Sequence, residues 1–223
     1  MTHDEPRIPP RRVQQIVERL LAAAALAVCF PVLLAAAVCT IVESGWPVFF
    51  RQTRVGCNLK PFMLYKLRSM HAGSKGAGIT ARGDPRVTRV GAFLRKYKLD
   101  ELPQLWNVVA GHMRLIGPRP ELPSYVNPDD RIWRAVLSER PGLTDLSSLV
   151  YRNEEELLAQ SGDPDRTYRE EILPRKLALS AHYLETRDFA SDCKLLLLTA
   201  RYSFRPVGFD PNRILAAFNG DRI

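Results

Sequence analysis

The chain has 223 residues, enough for one folded domain plus an anchor, and carries a formal net charge of +8. Its four cysteines form no C-x-x-C pair and its four histidines lack the two-His helical spacing of a zinc hydrolase, which argues against a zinc site or a disulfide framework. The positive excess sits in one block: residues 51–119 hold fourteen Lys/Arg against three Asp/Glu, residues 1–50 are neutral and 120–223 are net acidic, so the middle of the chain suits anions such as nucleic acid, acidic lipid headgroups or a phosphorylated small substrate.

The first predicted element is a membrane helix. From Leu20 to Val42, 23 residues run without a charge; as a helix they cover about 35 Å, enough for a hydrocarbon core of about 30 Å. The run is too long and starts too late for the apolar region of a cleaved signal peptide. Pro31 falls at its middle, where it removes a backbone hydrogen bond and kinks the helix. Both flanks are basic, with Arg7, Arg11, Arg12 and Arg19 before the run and Arg51, Arg54, Lys60, Lys66 and Arg68 after it. The positive-inside rule keeps both on the cytoplasmic side. A re-entrant helix that bends at Pro31 and returns to the same face satisfies that rule; a bitopic helix with a proline kink is the competing arrangement. Trp46, Phe49 and Phe50 suit the headgroup zone. Residues 1–45 are therefore predicted as the anchor and 46–223 as a cytoplasmic domain.

Beyond the anchor, residues 48–70 alternate loosely and read as a short hairpin. Gly73 to Gly83 is a Gly-rich loop. Val87, Val90, Phe93, Leu94 and Tyr97 recur at helical spacing, with Arg86, Arg89, Arg95 and Lys96 on the other face. A second helix is predicted from near Asp100, with Pro103 in its first turn and Gly111 at its end. The MRLI segment reads as a strand leading into Gly117-Pro118-Arg119-Pro120. Residues 130–185 are mostly helical, with breaks expected at Pro141-Gly142, Asp163-Pro164 and Pro174, and Glu154, Glu155 and Glu156 on a solvated face. A last helix over 189–204 either lies on the membrane surface or packs on the core. The predicted fold is α+β: a mostly helical small globular domain with a short β-hairpin, anchored by an N-terminal re-entrant membrane helix and interfacial amphipathic helices.

Asp100 and Glu101 are the adjacent carboxylates of the basic block. At a helix start the dipole favours negative charge, and surrounding cations are expected to keep Asp100 ionised. Capping of the helix would explain Asp100 equally well. Arg119, stiffened between two prolines, is placed for a bidentate phosphate contact, and Lys66, Arg95, Arg140 and Arg152 are further candidates. A carboxylate beside fixed cations can bind a divalent metal or attack a phosphorus atom.

These residues lie in stretches that resemble the monotopic phosphoglycosyl transferases, the bacterial sugar transferase family of polyprenyl-phosphate sugar-1-phosphate transferases. The likeness runs from about Arg12 to about Arg205 and is strongest in F-x-Q-x-R-x-G (Phe50 to Gly56), Y-K-L-R-S-M (65–70), K-L-D-E-L-P-Q-L-W-N-V (98–108), G-H-M-R-L-I-G-P-R-P-E-L (111–122) and R-P-G-L-T (140–144). The resemblance implies a re-entrant anchor with its bend at Pro31, a cytoplasmic active site at the bacterial inner membrane, and Mg²⁺ at Asp100 and Glu101. It implies a nucleotide-sugar donor and a polyprenyl phosphate acceptor, with membrane lipids as partners and no nucleic acid. Asp100 would form an aspartyl-phosphosugar, Glu101 would be the second acid of the dyad, and Lys66, Arg95, Arg119 and Arg152 would bind substrate phosphate. The oligomeric state stays open, a homodimer included. Two positions depart from the family pattern: Phe30 stands where Ser commonly precedes the bend proline, and Asp145-Leu146-Ser147-Ser148 replaces a Gly-Trp type sequence that bears on donor recognition. Two other readings compete: a membrane-tethered module that binds anionic lipid or nucleic acid, and a metal-dependent phosphatase using the same carboxylates.

Overall fold

The computed structural model describes residues 11–74 and 78–219; it is mostly helical with two small sheets. The uncharged run forms one helix, α1 (Arg11–Ser44), which continues through Pro31. Only 11% of its most apolar stretch is buried against the rest of the chain. A core helix of a soluble domain would be mostly covered, so the length and exposed apolar surface of α1 fit membrane association.

Both ends of α1 are fastened to the remainder of the chain. Toward its start, Arg114 donates to Glu18 at 2.5 Å, and Ala22 is fully buried against Leu105, Val108 and Met113. Toward its end, Ala36 packs with Val48, Leu67 and Leu94. There Arg68 donates to the Ser44 carbonyl at 2.9 Å, satisfying a carbonyl that the helix end leaves free. Glu43 in turn accepts the Arg89 and Val90 N–H groups at the start of α2 (Arg89–Lys96), a capping contact across 46 residues.

The expected hairpin forms from β1 (Phe49–Val55) and β2 (Pro61–Leu67), antiparallel, with Phe50 opposite Lys66. Next to it α3 (Gln104–Val109) begins later than predicted, because Leu99–Glu101 forms a separate 3₁₀ turn and Pro103 sits at the cap of α3. Asn107 is fully buried and stitches α3 to β2: its amide donates to the Met63 carbonyl at 2.7 Å and its oxygen accepts the Tyr65 N–H at 3.2 Å. That double bond to the strand edge fixes the Asp100-Glu101 turn over β2. Gly111 follows α3 with φ +81, a left-handed conformation that glycine adopts without strain, and ends the helix as predicted.

The MRLI strand is β3 (Arg114–Ile116), and its partner is β4 (Gly142–Thr144), a parallel strand where a simple break was predicted. The reason is visible in two glycines. A Cβ on Gly142 would lie 2.1 Å from the Gly117 nitrogen, and one on Gly117 would lie 2.4 Å from the Arg140 carbonyl oxygen. The backbones of G-P-R-P and R-P-G meet there with no room for a side chain.

The rest is helical. α4 (Arg131–Leu137), α6 (Glu154–Ala159), α7 (Pro164–Thr167) and α8 (Leu173–Thr186) enclose a core around Trp133, Leu158, Tyr168 and Leu177. Asp163 caps α7 as the Asp-Pro pair suggests, and Pro174 marks a boundary as well: a π-helical segment, Tyr168–Ile172, ends just before it, and it sits in the first turn of α8. α5 (Leu146–Val150), α9 (Phe189–Phe204) and α10 (Pro211–Asn219) share a second core through Leu146, Leu195 and Ile214. α9 matches the predicted bounds, and a capping box of Asp188 and Ser191 starts it; α10 was not predicted. Part of the Gly73–Gly83 loop, residues 75–77, lies outside the described residues, and Ile79 and Ala81 beyond it pack on the first core.

Candidate active site

A cavity of about 1420 Å³ opens between the hairpin, the Asp100-Glu101 turn and the helical half. Lys66, Arg95, Asp100, Glu101, Arg119 and Arg152 all line it. One wall is apolar and belongs to the anchor: Ala25, Val28, Cys29 and Val32 of α1 face Leu196, Ala200 and Phe204 of α9. Charged groups and apolar residues of α1 thus line one cavity. Pro31 is exposed and stands outside the lining, between Cys29 and Val32, which form it. Arg140 is elsewhere: it donates to Gln15 of α1 at 3.1 Å and takes no part in the cavity.

The dyad divides its roles sharply. Glu101 accepts from Arg119 at 2.7 Å and from Lys66 at 3.1 Å. Burial pushes its carboxyl up, but Arg119 and Lys66 outweigh that and hold it well below the usual range. Asp100 is buried as well, yet its Oδ1 has no hydrogen-bond partner. Burial raises its pKa, the adjacent Glu101 charge raises it further, and Lys66, Lys98 and Arg95 only partly oppose them. This runs against the expectation that neighbouring cations favour the Asp100 anion: burial and Glu101 outweigh them, and Lys66 bonds Glu101 instead. It also removes the capping explanation, since Asp100 lies inside the 3₁₀ turn and caps no helix. A buried carboxylate oxygen without an internal partner carries a desolvation cost that a ligand or cation would relieve.

The other cations are held in different ways. Arg95 is paired with Glu155 and lies 3.3 Å from the Ser69 hydroxyl. Arg119 forks onto both oxygens of Glu101, at 2.7 and 3.4 Å, so the planar group predicted for phosphate is turned toward the dyad here. Arg152 donates to the Lys96 carbonyl at 2.9 Å and has no carboxylate partner among the described residues. Lys98, in a left-handed conformation (φ 56) just before the turn, also lines the cavity.

Behind the dyad is a buried polar network that sequence reasoning missed. Arg54 donates to the Pro120 carbonyl at 3.2 Å and lies 3.6 Å from Glu121, bracing the turn that carries Arg119. Tyr168 donates to Glu121 at 2.8 Å, and Lys176 reaches Glu154 at 3.0 Å and Glu121 at 3.7 Å. Burial lowers the Lys176 pKa, but Glu154 and Glu121 more than offset it and the amine is held charged. The solvated-face expectation holds for Glu156, which is exposed beside Arg82, but not for Glu154, which pairs with buried Lys176, nor for half-buried Glu155, which pairs with Arg95. Glu121 could have been suspected from its place in the G-P-R-P-E-L stretch; nothing in its helix marks Lys176, a lone lysine among Leu173, Leu177 and Leu179.

Among the described residues no group of three or more His, Cys, Asp or Glu could hold a metal. A cation that keeps part of its water and takes one or two carboxylates plus substrate phosphates needs no such group. Asp100 Oδ1 is the free donor for it, while both Glu101 oxygens are engaged.

Comparison with known proteins gives the same answer along most of the chain. A family model described as Bacterial sugar transferase matches residues 10–206. A UDP-glucose:undecaprenyl-phosphate glucose-1-phosphate transferase of Caulobacter vibrioides is 37% identical over 202 residues, covering 87% of this chain and 70% of that protein. A putative undecaprenyl-phosphate N-acetylgalactosaminyl 1-phosphate transferase of Bacillus subtilis is 44% identical, covering 51% of this chain and 64% of its own length. In Aeromonas hydrophila, a UDP-N-acetylgalactosamine-undecaprenyl-phosphate N-acetylgalactosaminephosphotransferase is 41% identical across 62% of this chain, which spans 34% of that relative. The buried dyad and the charged cavity floor both lie within the matched residues 10–206, and the chain belongs to the bacterial sugar transferase family.

Proposed function

We propose that this chain transfers a sugar-1-phosphate from a UDP-sugar to a polyprenyl phosphate such as undecaprenyl phosphate, releasing UMP, as the first membrane step of polysaccharide or glycoconjugate synthesis. The observation that carries the reading is Asp100: a buried carboxylate with an unpartnered oxygen, in a basic cavity lined in part by the apolar helix α1. Family membership and the activities named for the relatives support it.

The chemistry follows in two steps. An Asp100 oxygen attacks the phosphorus that bears the sugar; the bond from that phosphorus to the bridging oxygen breaks, and UMP leaves with the oxygen. An oxygen of the polyprenyl phosphate then attacks the same phosphorus, and the bond to Asp100 breaks, restoring the carboxylate. Attack needs the Asp100 anion, which Lys66, Lys98 and Arg95 favour against burial and Glu101. Mg²⁺, held by Asp100 with the donor phosphates, and by Glu101 if its cations turn away, would supply positive charge to the phosphate oxygens. Arg152, which makes no ion pair among the described residues, is a ready phosphate ligand, while Lys66 and Arg119 hold Glu101 and Arg95 holds Glu155 until the donor competes for them.

The membrane geometry belongs to the same proposal. Glu18 near one end of α1 and Glu43 and Ser44 at the other are bound by one and the same domain, which supports a re-entrant α1 turning at Pro31 with both flanks on the cytoplasmic face of the inner membrane. Phe189, Leu197 and Phe204 fall on one exposed stripe of α9 and suit an interfacial placement.

Purified enzyme given a panel of UDP-sugars should release UMP with one of them, and only turn over continuously when polyprenyl phosphate is present. Without acceptor, a sugar-labelled donor should leave label on the peptide containing Asp100, and Asp100→Asn should abolish both signals while remaining folded. Continuous UMP release without the lipid would indicate a phosphatase or hydrolase and overturn the transferase reading.

A further inference from the structure

A second cavity of about 590 Å³ lies beside the catalytic one, between the end of α2 and the end of α9. Lys96, Arg201 and Arg205 line it, and no carboxylate does. Within the described residues none of these three cations makes an ion pair; Lys96 lies over the Tyr97 ring at 5.5 Å and Arg201 over the Tyr202 ring at 5.5 Å. Three exposed cations converging without a counter-charge repel one another, and an anion relieves that repulsion. The rim is apolar: Phe204 is 71% and Val207 89% exposed. Phe204 also ends the exposed stripe that begins at Phe189 and passes Leu197. On the other side, α2 packs Val90 and Leu94 against the later half of α1, so the cavity stands next to the anchor.

We propose that this cavity holds the phosphate headgroup of an anionic phospholipid, with the acyl chains along the Phe204–Leu197 stripe. A free phosphate would satisfy the cations but leave the apolar rim uncovered; a lipid satisfies both. The acceptor lipid is the weaker occupant, because its phosphate must reach Asp100, which lines only the larger cavity. Tyr97 and Phe204 line both cavities. A lipid bound in the smaller one therefore borders the acceptor's mouth and ties the enzyme's orientation to the charge of the cytoplasmic leaflet.

The site can be tested without turnover, so its failure and that of the transferase reading remain separate. Full-length protein in detergent is offered equimolar phosphatidylglycerol and phosphatidylcholine, and retained lipid is counted by native mass spectrometry. Wild type should retain phosphatidylglycerol in preference. Lys96→Gln/Arg201→Gln/Arg205→Gln should weaken that retention by about tenfold or more, since each surface cation near an anionic lipid contributes severalfold. Arg201→Lys/Arg205→Lys, which keeps the charge, should retain it, and all variants are checked by thermal melting. Equal retention of both phospholipids, or unchanged retention in the triple variant, overturns the proposal. So does displacement of phosphatidylglycerol by inorganic phosphate, or by polyprenyl phosphate whose retention the triple variant abolishes, since either outcome would give the cavity to another phosphate.

Discussion

Glu101→Gln tests the electrostatic frame of the site. The carboxylate answers two cations, Arg119 at 2.7 Å and Lys66 at 3.1 Å, and its own side chain is 12% exposed. The amide keeps the shape and one acceptor oxygen but leaves both cations facing each other without a counter-charge. Removing one partner of a buried ion pair costs about 3–5 kcal/mol. The Arg119 side chain is 28% exposed, so water screens part of that loss, and the amide oxygen still accepts one hydrogen bond; the net cost should be about 2–3 kcal/mol. For a chain of this size that lowers the melting temperature by about 4–12 °C.

The pH dependence gives the second half of the test. The folded-state pKa of Glu101 is depressed well below its usual 4.5. Its stabilisation is therefore complete above the unfolded value and is lost as pH falls through the folded one. Thermal melts of wild type and Glu101→Gln in the same detergent should differ fully at neutral pH and converge in acid. A difference under about 1 °C at neutral pH, or one that persists undiminished into acid, would refute the reasoning. In the same variant Asp100 loses the second-largest influence raising its pKa, so its titration should move down.

Two further outcomes follow from the geometry. Arg119→Lys keeps the charge but loses the planar fork onto both Glu101 oxygens, and turnover should fall by more than about tenfold; activity within about threefold of wild type, under 1 kcal/mol in the barrier, would reduce Arg119 to a turn residue. Engineered thiols near Arg12 and Arg54, in a background without native cysteines, should both escape an impermeant reagent applied to intact cells, and labelling of either one would sink the re-entrant topology.

Elements whose signal is local were legible in the sequence. The uncharged run, the hairpin and α9 follow from composition and periodicity, and Gly111 ends α3 through a conformation only its own backbone requires. The parallel β3–β4 pair was not, because its determinant is the mutual approach of Gly117 and Gly142, 25 positions apart, and three-residue strands carry no period. The same division runs through the site. Asp100, Glu101 and Arg119 stood out by motif, but which cation serves which carboxylate depends on Asn107 holding α3 to β2, a contact that pattern reading does not supply.

The charge block shows most clearly where sequence reasoning stops. Fourteen cations against three acids in residues 51–119 suggested an anion-binding surface, and that count treats the segment as if it stood alone. In the fold the acidic C-terminal segment supplies counter-charges: Glu121 to Arg54, Glu155 to Arg95, Glu156 to Arg82 and Glu139 to Arg114. Glu18 of α1 meets Arg114 as well. Much of the excess is thus internal structure, binding hairpin, turn and helices to one another. The field left for substrate is smaller and better placed than the count implies. Lys98 and Arg152 line the catalytic cavity and make no ion pair among the described residues, and Lys66 and Arg119 share a single carboxylate. A surface patch of the full block charge would attract any polyanion. A few unneutralised cations around one buried aspartate select a small phosphate ester that fits beside it.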